Sequence, residues 1–452
     1  MTKIRYLAPV AAIVITSVTA CKTDFLTGGD LSTDPNRPTT ATATQLFQGI
    51  QTNLWAFFGS DPARVTGMWA RQFAGGQNQY ESIYHYQYDE GIQSGFNSGL
   101  YAAGGLVDIA RAQKISADAQ NFALLGILQV QEGMLMGTGA DLFGDLVYSQ
   151  ALKGTPNPTL DPQMSVYDSV QKVLSAGIAN MASTASTSSP PVNSDLDYAG
   201  DLTAWTALAH TMKARFFMHT AEVRGVAAYT AALAEAQQGI TADAGNYLGV
   251  FSANSGEQNF YYQFDGPAGR KGYLVADTLF INLLRSRSDA RVTDYFEAKA
   301  VPQFLSPARE APDFEQPYVT YDENTLIWAE AAYRTGNQVV ALQKLNEERA
   351  NHGLAAEAVA GQTLLNEILI EKYIVDFQLG HEAWNDYKRT CTPNFPPTVA
   401  AKKMPGRMYY DTHERLTNTN IPPAGQGFNA SRNANDPANA TSDGTGAACQ
   451  AG

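Results

Sequence analysis

The chain has 452 residues, of which 44% are hydrophobic and 17% are charged, so it is long enough to bury a large core in one big domain or two. Its formal net charge at pH 7 is −13. Phosphate recognition needs clustered Lys and Arg, and the densest basic stretch, AKKMPGR at 401–407, is short. The charge balance therefore argues against a nucleic-acid partner.

Residues 1–20 have the pattern of a secretory signal. Lys3 and Arg5 precede an apolar stretch from about residue 7 to residue 18, and small residues follow. A membrane-spanning helix needs roughly 20 apolar residues, so this stretch is too short to span a bilayer. We predict a signal peptide over 1–20 that is removed on export.

Cys21 follows the small residues Val18-Thr19-Ala20, an order that resembles the lipobox of bacterial lipoproteins. In those proteins the cysteine is acylated and becomes the new N-terminus, and acyl chains anchor a soluble domain through burial of their methylenes. We therefore predict lipidation at Cys21. Lys22 follows the cysteine, which implies the outer membrane. The alternative is ordinary cleavage near Ala20 with a free Cys21.

Two further cysteines, Cys391 and Cys449, remain in the chain. In an oxidising compartment each has the other as its possible partner, and a bridge would close a loop over the C-terminal tail. The prediction is a Cys391–Cys449 disulfide, and two unrelated free thiols are the alternative.

Residues 21–40 are rich in Gly, Pro, Asp and Asn, and we predict a tether between anchor and domain. Helical patterning then dominates. Apolar residues spaced by three and four predict a helix over 43–58, and long buried helices over 119–137 and 202–222. The stretch 183–195 is predicted to be a loop.

Helices become rare from about 245 to 270 and from about 300 to 321, where Pro, Gly and aromatic residues are frequent. A short strand is predicted for NFYYQF at 259–264. A helix pair follows within 324–353, with a turn at Gly336-Asn337. Alanines at positions 329, 331 and 332 allow close approach, as in tetratricopeptide-like helix pairs, although a strict repeat is absent from the sequence.

Two more helices are predicted over 364–380, closed by Gly380, and over 381–390. In the second, Trp384 and Tyr387 lie on one face and are expected to pack inward, while Asp386 and Arg389 suit a local ion pair. The predicted fold class is mostly α, with tetratricopeptide-like helix pairs, long irregular loops and few short strands.

Common catalytic signatures are absent from the sequence, among them GxxxxGK[ST], HExxH and GxSxG. The six histidines are scattered, which favours hydrogen-bonded or solvated side chains over metal ligands. Asp195, Asp197 and Asp201 suggest calcium, but their loop lacks the terminal glutamate of an EF-hand. We predict no enzyme activity, no metal and no cofactor.

Several segments together resemble the SusD/RagB family of outer-membrane nutrient-binding lipoproteins, in its SusD-like branch. Those in the C-terminal third are LIWAEAAYRTGN, ALQKLNEERANHG, LLNEILIEKYIVDFQLGHEAWNDYKRT and MPGRMYYDTHERLTNTN. Those nearer the N-terminus are DPNRPTTATATQLFQGIQ, MLMGTGADLFGDLVYSQAL and SRSDARVTDYF.

The resemblance covers most of residues 21 to 420, in order. Lys372 stands where the family often has Arg, and residues 421–452 match nothing in it. This implies a SusD-like α domain over 41–420 and an irregular C-terminal tail over 421–452.

The resemblance further implies a protein at the outer face of the outer membrane that binds a nutrient and changes no bonds. Its partner would be a TonB-dependent, SusC-like transporter, for which it acts as a lid. An oligosaccharide is the expected ligand, since aromatic faces stack on sugar rings, and an oligopeptide is the alternative. Alternatives from other classes are a tetratricopeptide-like envelope scaffold lipoprotein and a surface glycosidase.

Two segments, 68–91 and 259–273, are predicted to line the ligand site. In the first, an extended chain would place alternate tyrosines on one face, beside amide side chains. In the second, aromatics precede a Gly-rich loop, and burial in the core is the alternative for each tyrosine. The predicted ligand-binding residues are Trp69, Gln77, Asn78, Tyr84, Tyr86, Tyr88, Tyr262 and Tyr273.

Overall fold

The computed structural model describes residues 41–87, 99–298, 303–399 and 404–422. The predicted signal peptide, the lipidation site Cys21, the tether and most of the C-terminal tail lie outside these residues. Cys391 is disulfide-bonded. Its predicted partner Cys449 lies outside the described residues, so that pairing stays a prediction.

Helices make up most of the described chain, as the sequence predicts. They are α1 (Ala43–Gly59), α2 (Asp61–Trp69), α3 (Asn78–Tyr84), α4 (Leu106–Asp118), α5 (Phe122–Phe143), α6 (Gln163–Met181), α7 (Leu202–His219), α8 (Ala221–Arg224), α9 (Val226–Ala236), α10 (Phe260–Asp265), α11 (Thr278–Ser286), α12 (Arg291–Tyr295), α13 (Tyr321–Arg334), α14 (Gln338–Asn351), α15 (Gly361–Val375), α16 (Glu382–Thr390) and α17 (Thr412–Thr417).

Four short strands form two antiparallel pairs in the described chain: β1 (Phe73–Gly75) with β3 (Leu274–Ala276), and β2 (Tyr247–Gly249) with β4 (Gln316–Val319). Phe73 lies opposite Ala276 in the first pair, and Tyr247 lies opposite Val319 in the second. Each pair joins segments that are distant in the sequence, and the β2–β4 pair joins the two helix-poor regions to each other.

The long helices pack on one another in a series that largely follows the chain. Successive contacts run from α1 to α4, α5, α6, α7, α9 and α13, and α13 then packs against α14 and α15. The α13–α14 pair is the predicted tetratricopeptide-like pair. The alanines at 329, 331 and 332 are fully buried; Ala329 and Ala332 belong to the cluster shared with α14, and Ala331 to the cluster shared with α7 and α9. The predicted fold class is therefore confirmed.

Helix α5 shows how the residues allow this packing. A Cβ on Gly137 would lie 2.2 Å from the Phe216 ring of α7, and one on Gly133 would lie 2.6 Å from Leu174 of α6. A side chain at either position would force Phe216 or Leu174 to shift. These glycines therefore set the close spacing at the centre of the series.

Some predicted boundaries and one predicted element are wrong. Helix α5 continues to Phe143, whereas the sequence pattern ended it at 137, and α15 ends at Val375 instead of Gly380. The strand predicted over 259–264 is the helix α10. The buried Asn259 begins it by accepting a hydrogen bond from the backbone N–H of Tyr261 at 2.8 Å, which is the geometry of an N-cap.

Charged side chains fill the interior where α13, α15 and α16 meet. Arg389 donates two hydrogen bonds of 2.7 Å to the carboxylate of Glu330 and one of 2.8 Å to Asp386. Lys372 donates to the same Asp386. The predicted ion pair of Asp386 and Arg389 is thus confirmed, although it is buried and not a surface pair.

The second part of this interior network surrounds His219 of α7. Its Nδ1 lies 2.7 Å from Asp141 of α5, and its Nε2 lies 2.8 Å from Glu382 of α16. Burial lowers the pKa of His219, but the two carboxylates outweigh burial and raise that pKa from 6.5 to about 9. His219 is therefore a charged, fully buried link among three helices.

This link makes stability depend on pH. The pKa of His219 is higher in the folded state than in the unfolded state. The contribution of this residue to the free energy of unfolding is therefore complete below about pH 6.5 and is lost as the pH rises through about 9. We expect the free energy of unfolding, measured with urea, to fall by about 1.4 kcal/mol per pH unit between about pH 7 and about pH 8.5. The His219→Gln variant should lack this slope, and an equal slope in both proteins would contradict the assignment.

Candidate ligand-binding site

A cleft with a volume of about 440 Å³ opens between α1, the loop before α7 and the segment 250–263. Its apolar lining is Trp55, Leu196, Val250, Phe251 and Phe260, and its polar lining is Thr52, Ser252, Glu257, Gln258 and Gln263. Leu196 and Val250 are 41% and 42% exposed, which is high for large apolar side chains. An exposed apolar surface with a polar rim is typical of a binding site.

Three aromatic rings form one wall of the cleft. The ring centroids of Trp55 and Phe251 are 6.0 Å apart, and those of Phe251 and Phe260 are 5.2 Å apart at an interplanar angle of 82°. Phe251 and Phe260 are half-buried, so part of each ring faces solvent. The wall offers ring surface to a ligand while its rings support one another.

The side chain of Trp55 is hydrogen-bonded to the loop before α7. Its indole Nε1 donates to Asp197 Oδ1 at 2.9 Å. Burial and the nearby carboxylate of Asp195 raise the pKa of Asp197 well above its ordinary value. The orientation of the indole therefore depends on a half-buried acid that lies outside the cleft lining.

Asp195 organises that loop. Its carboxylate accepts hydrogen bonds from the backbone N–H groups of Asp197 and Gly200, at 3.1 and 2.8 Å, and from the Trp205 indole at 2.7 Å. Asp201 caps the N-terminus of α7 by accepting from Thr203 at 2.8 Å. The three acidic residues that suggested calcium in the sequence thus accept hydrogen bonds from the protein itself.

The opposite, polar wall is a loop that is closed by its own hydrogen bonds. The backbone N–H of Ser252 donates to the Glu257 carbonyl at 2.9 Å, and the Ser252 hydroxyl donates to the Glu257 carboxylate at 2.6 Å. Asn254 Nδ2 adds a bond of 3.0 Å to this carboxylate. These donors lower the pKa of Glu257, so the wall carries an ionised carboxylate at neutral pH.

The chemistry of the lining suits a neutral, hydroxyl-bearing ligand. Aromatic faces pack on apolar ring faces, amides donate hydrogen bonds to hydroxyl groups and accept hydrogen bonds from them, and a carboxylate accepts hydrogen bonds from hydroxyl groups. Glu257 is the one acidic residue lining the cleft within the part of the chain that the structure describes.

The structure brings the two predicted site segments together, but beside this cleft. Strands β1 and β3 pair, and the Gly76 N–H donates to the Tyr273 carbonyl at 2.9 Å. The Tyr273 ring lies 6.4 Å from that of Tyr80 and 6.3 Å from that of Phe264. Of the predicted segment 259–273, Phe260 and Gln263 line the cleft, whereas the predicted residues Tyr262 and Tyr273 are half-buried outside its lining.

The extended conformation predicted for the first segment is wrong. Residues 78–84 form α3, and Tyr86 follows with a positive φ of 58°. Tyr84 is half-buried and donates to Asp277 at 2.7 Å, while Tyr86 is buried, with its hydroxyl accepting from the Thr398 N–H at 3.4 Å. Tyr88 lies outside the described residues.

Trp69 is fully buried, with its ring 5.9 Å from that of Trp384, itself fully buried as predicted. The predicted residues Gln77 and Asn78 are exposed, as are Gln79, Glu81, Ser82 and Gln87 of the same segment. Ligand binding by Gln77, Asn78 and the tyrosines stays a prediction, whereas burial favours a structural role for Trp69.

Sequence reasoning missed Trp55 and Phe251. Trp55 lies outside the predicted apolar face of the 43–58 helix. This position was a detectable signal, because an aromatic residue outside the apolar face needs a second surface to contact. Phe251 lies in the helix-poor region from 245 to 270, in a polar and Gly-containing stretch. Nothing in the sequence places these two residues next to each other.

A family model described as starch-binding and associating with the outer membrane matches residues 35–304. The chain belongs to this SusD-like family. A search of curated proteins finds no match. No helix among the described residues is both long and apolar enough to cross a membrane.

Solved structures share the fold at low sequence identity. A SusD homolog from Bacteroides uniformis is 18% identical, with a TM-score of 0.73 over 90% of this chain and 99% of that chain. A SusD homolog from Bacteroides fragilis is 19% identical, with a TM-score of 0.68 over 84% and 94%. A chitin-binding SusD homolog from Flavobacterium johnsoniae is 16% identical, with a TM-score of 0.64 over 90% and 98%.

The burial of Trp69 leads to a direct test of the predicted site residue. We expect Trp69→Ala to lower the free energy of unfolding by about 3–5 kcal/mol, because it leaves a large cavity beside Trp384. The control is Trp328→Ala, which removes a half-buried tryptophan from α13. Chemical denaturation of both variants is the measurement, and a smaller loss for Trp69→Ala than for Trp328→Ala would contradict the structural role.

Proposed function

We propose that the chain is a cell-surface lipoprotein that binds an oligosaccharide and acts as the lid of a TonB-dependent, SusC-like outer-membrane transporter, without making or breaking bonds. The observation that carries the proposal is the aromatic cleft of Trp55, Phe251 and Phe260 in a chain of the SusD-like family. The family description names starch and the outer membrane, and one similar structure is of a chitin-binding protein.

The cleft supports binding of a sugar in three ways. The half-buried rings of Phe251 and Phe260 supply apolar faces of the size of a sugar ring, and the buried Trp55 supports Phe251. Gln258 and Gln263 bring amide groups to the same space. Hydrogen bonds between Ser252 and Glu257 already order their loop, so the loop loses less conformational entropy when a ligand binds.

Phe251→Ala is the variant that tests the cleft. We expect it to lower the affinity for a bound oligosaccharide by at least about tenfold, which corresponds to about 1.4 kcal/mol, because it removes the central ring of the wall. Its melting temperature should change little, because the ring is half-buried. Isothermal titration calorimetry against starch-derived and chitin-derived oligosaccharides is the measurement.

Phe217→Ala is the matched control, since Phe217 is a half-buried phenylalanine of α7 outside the cleft. It should leave ligand affinity unchanged. Equal affinity of wild type and Phe251→Ala for a bound sugar would contradict the cleft assignment. If the protein binds oligopeptides and not sugars, and Phe251→Ala lowers the affinity for the peptide by the same factor, the ligand is a peptide and the cleft remains its binding site.

The lid role requires attachment to the membrane, which we propose to occur through acylated Cys21 and the tether at 21–40. A tether raises the local concentration of lid near a transporter. We expect Cys21→Ala to move the protein from the membrane fraction to the soluble fraction after cell lysis, with its fold and ligand affinity intact. Retention of the variant in the membrane fraction would contradict the anchor.

A further inference from the structure

A group of potential metal ligands lies on the helix pair α13–α14, outside the cleft. Glu348 and His352 are four residues apart at the C-terminal end of α14, and Asp322 stands in the first turn of α13. One ligand atom from each of these three side chains lies within 4.8 Å of the other two. None of the three has a role in the proposed sugar site.

The distances are close to those of a metal coordination sphere. His352 Nε2 lies 3.1 Å from Asp322 Oδ2 and 3.2 Å from Glu348 Oε1. In tetrahedral zinc sites the ligands stand about 2.0–2.2 Å from the ion, which places ligand atoms roughly 3.3–3.6 Å from one another. The two distances to His352 are close to that spacing, and the ligand atoms of Asp322 and Glu348 lie within 4.8 Å of each other.

The carboxyl group of Glu348 is buried and only partly hydrogen-bonded. Its side chain is fully buried, and its Oε2 has no hydrogen-bond partner among the residues that the structure describes. Oε1 is 3.2 Å from Arg291, so the carboxylate is only partly compensated. A buried carboxylate oxygen without a partner is costly, and coordination to a metal ion would remove that cost.

The local charges agree with this interpretation. Carboxylates outnumber arginines in the ion-pair network behind the site, which comprises Arg287, Arg291 and Arg349 with Asp289, Glu348, Glu357, Glu367 and Glu371. Asp322 adds one more carboxylate. A divalent cation would offset part of this negative excess.

We propose that Asp322, Glu348 and His352 form a binding site for a divalent transition-metal ion, with Zn²⁺ as the ion of best fit. The imidazole distinguishes Zn²⁺ from Mg²⁺ and Ca²⁺, which prefer oxygen ligands alone. The side chains of Asp322 and His352 are 18% and 25% exposed, so an ion can enter from solvent and water can complete its coordination. Bound there, the ion joins the start of α13 to the end of α14.

The test uses untagged protein that has been stripped with a chelator and titrated with ZnSO₄ by calorimetry. Wild type should bind one ion per chain, with much weaker binding of Mg²⁺, and its melting temperature should rise with Zn²⁺. His352→Gln should weaken Zn²⁺ binding by at least about tenfold and abolish the thermal shift. Asp322→Asn, a second variant of nearly the same shape, should weaken it as well.

His210→Gln is the matched control. His210 also contacts a carboxylate, with its Nδ1 2.6 Å from Glu235, but it belongs to α7 and not to this group. It should bind Zn²⁺ as wild type does. Equal Zn²⁺ affinity in wild type, His352→Gln and Asp322→Asn would overturn the proposal, and so would the absence of saturable Zn²⁺ binding by wild type.

Discussion

The structure depends most on the buried carboxylate of Glu382. Arg215, His219 and Lys372 all lie within 3.5 Å of it, and they come from α7 and α15, while Glu382 begins α16. These opposite charges hold the pKa of Glu382 well below its ordinary value, against the effect of burial. A charge buried without its partners costs about 3–5 kcal/mol, so these helices are stable in this arrangement only together. The motif EAWNDYKR is thus a centre of assembly, and its contribution to ligand binding is indirect.

A short chain of hydrogen bonds connects this centre to the cleft. Arg215, which pairs with Glu323 and Glu382, also donates to the carbonyl of Tyr318 at 2.9 Å. The Tyr318 hydroxyl in turn donates to the carbonyl of Trp55 at 3.0 Å. Gly59 permits this approach, because a Cβ there would lie 2.3 Å from the Tyr318 hydroxyl. The position of the aromatic wall is therefore fixed from the core through β4.

The sequence allowed the long helices to be predicted, but not the contacts between distant segments. Helix α1, the α13–α14 pair and the inward packing of Trp384 follow from apolar spacing, which is a local property. The pattern of aromatic residues at 260–265 is compatible with a strand and with a helix. The N-cap hydrogen bond of Asn259 stabilises the helix. The cleft needs Trp55 next to Phe251, and the metal group needs Asp322 next to His352. Both contacts result from tertiary packing, which the spacing of residue types along the sequence does not reveal.

The division of the cleft between a rigid helix and two surface loops has a consequence for evolution. Trp55 belongs to the helical frame, whereas Leu196 and Phe251 stand on loops. The loop of Phe251 is braced by its own hydrogen bonds, and that of Leu196 is also bonded to Gln51 of α1, which accepts from the Leu196 N–H at 2.7 Å. Substitutions or insertions in these loops would alter the shape of the cleft without disturbing the buried charges. Loop residues can therefore be exchanged and the shape of the cleft altered while the helical frame is retained, and this fold is indeed shared by solved structures at identities below 20%.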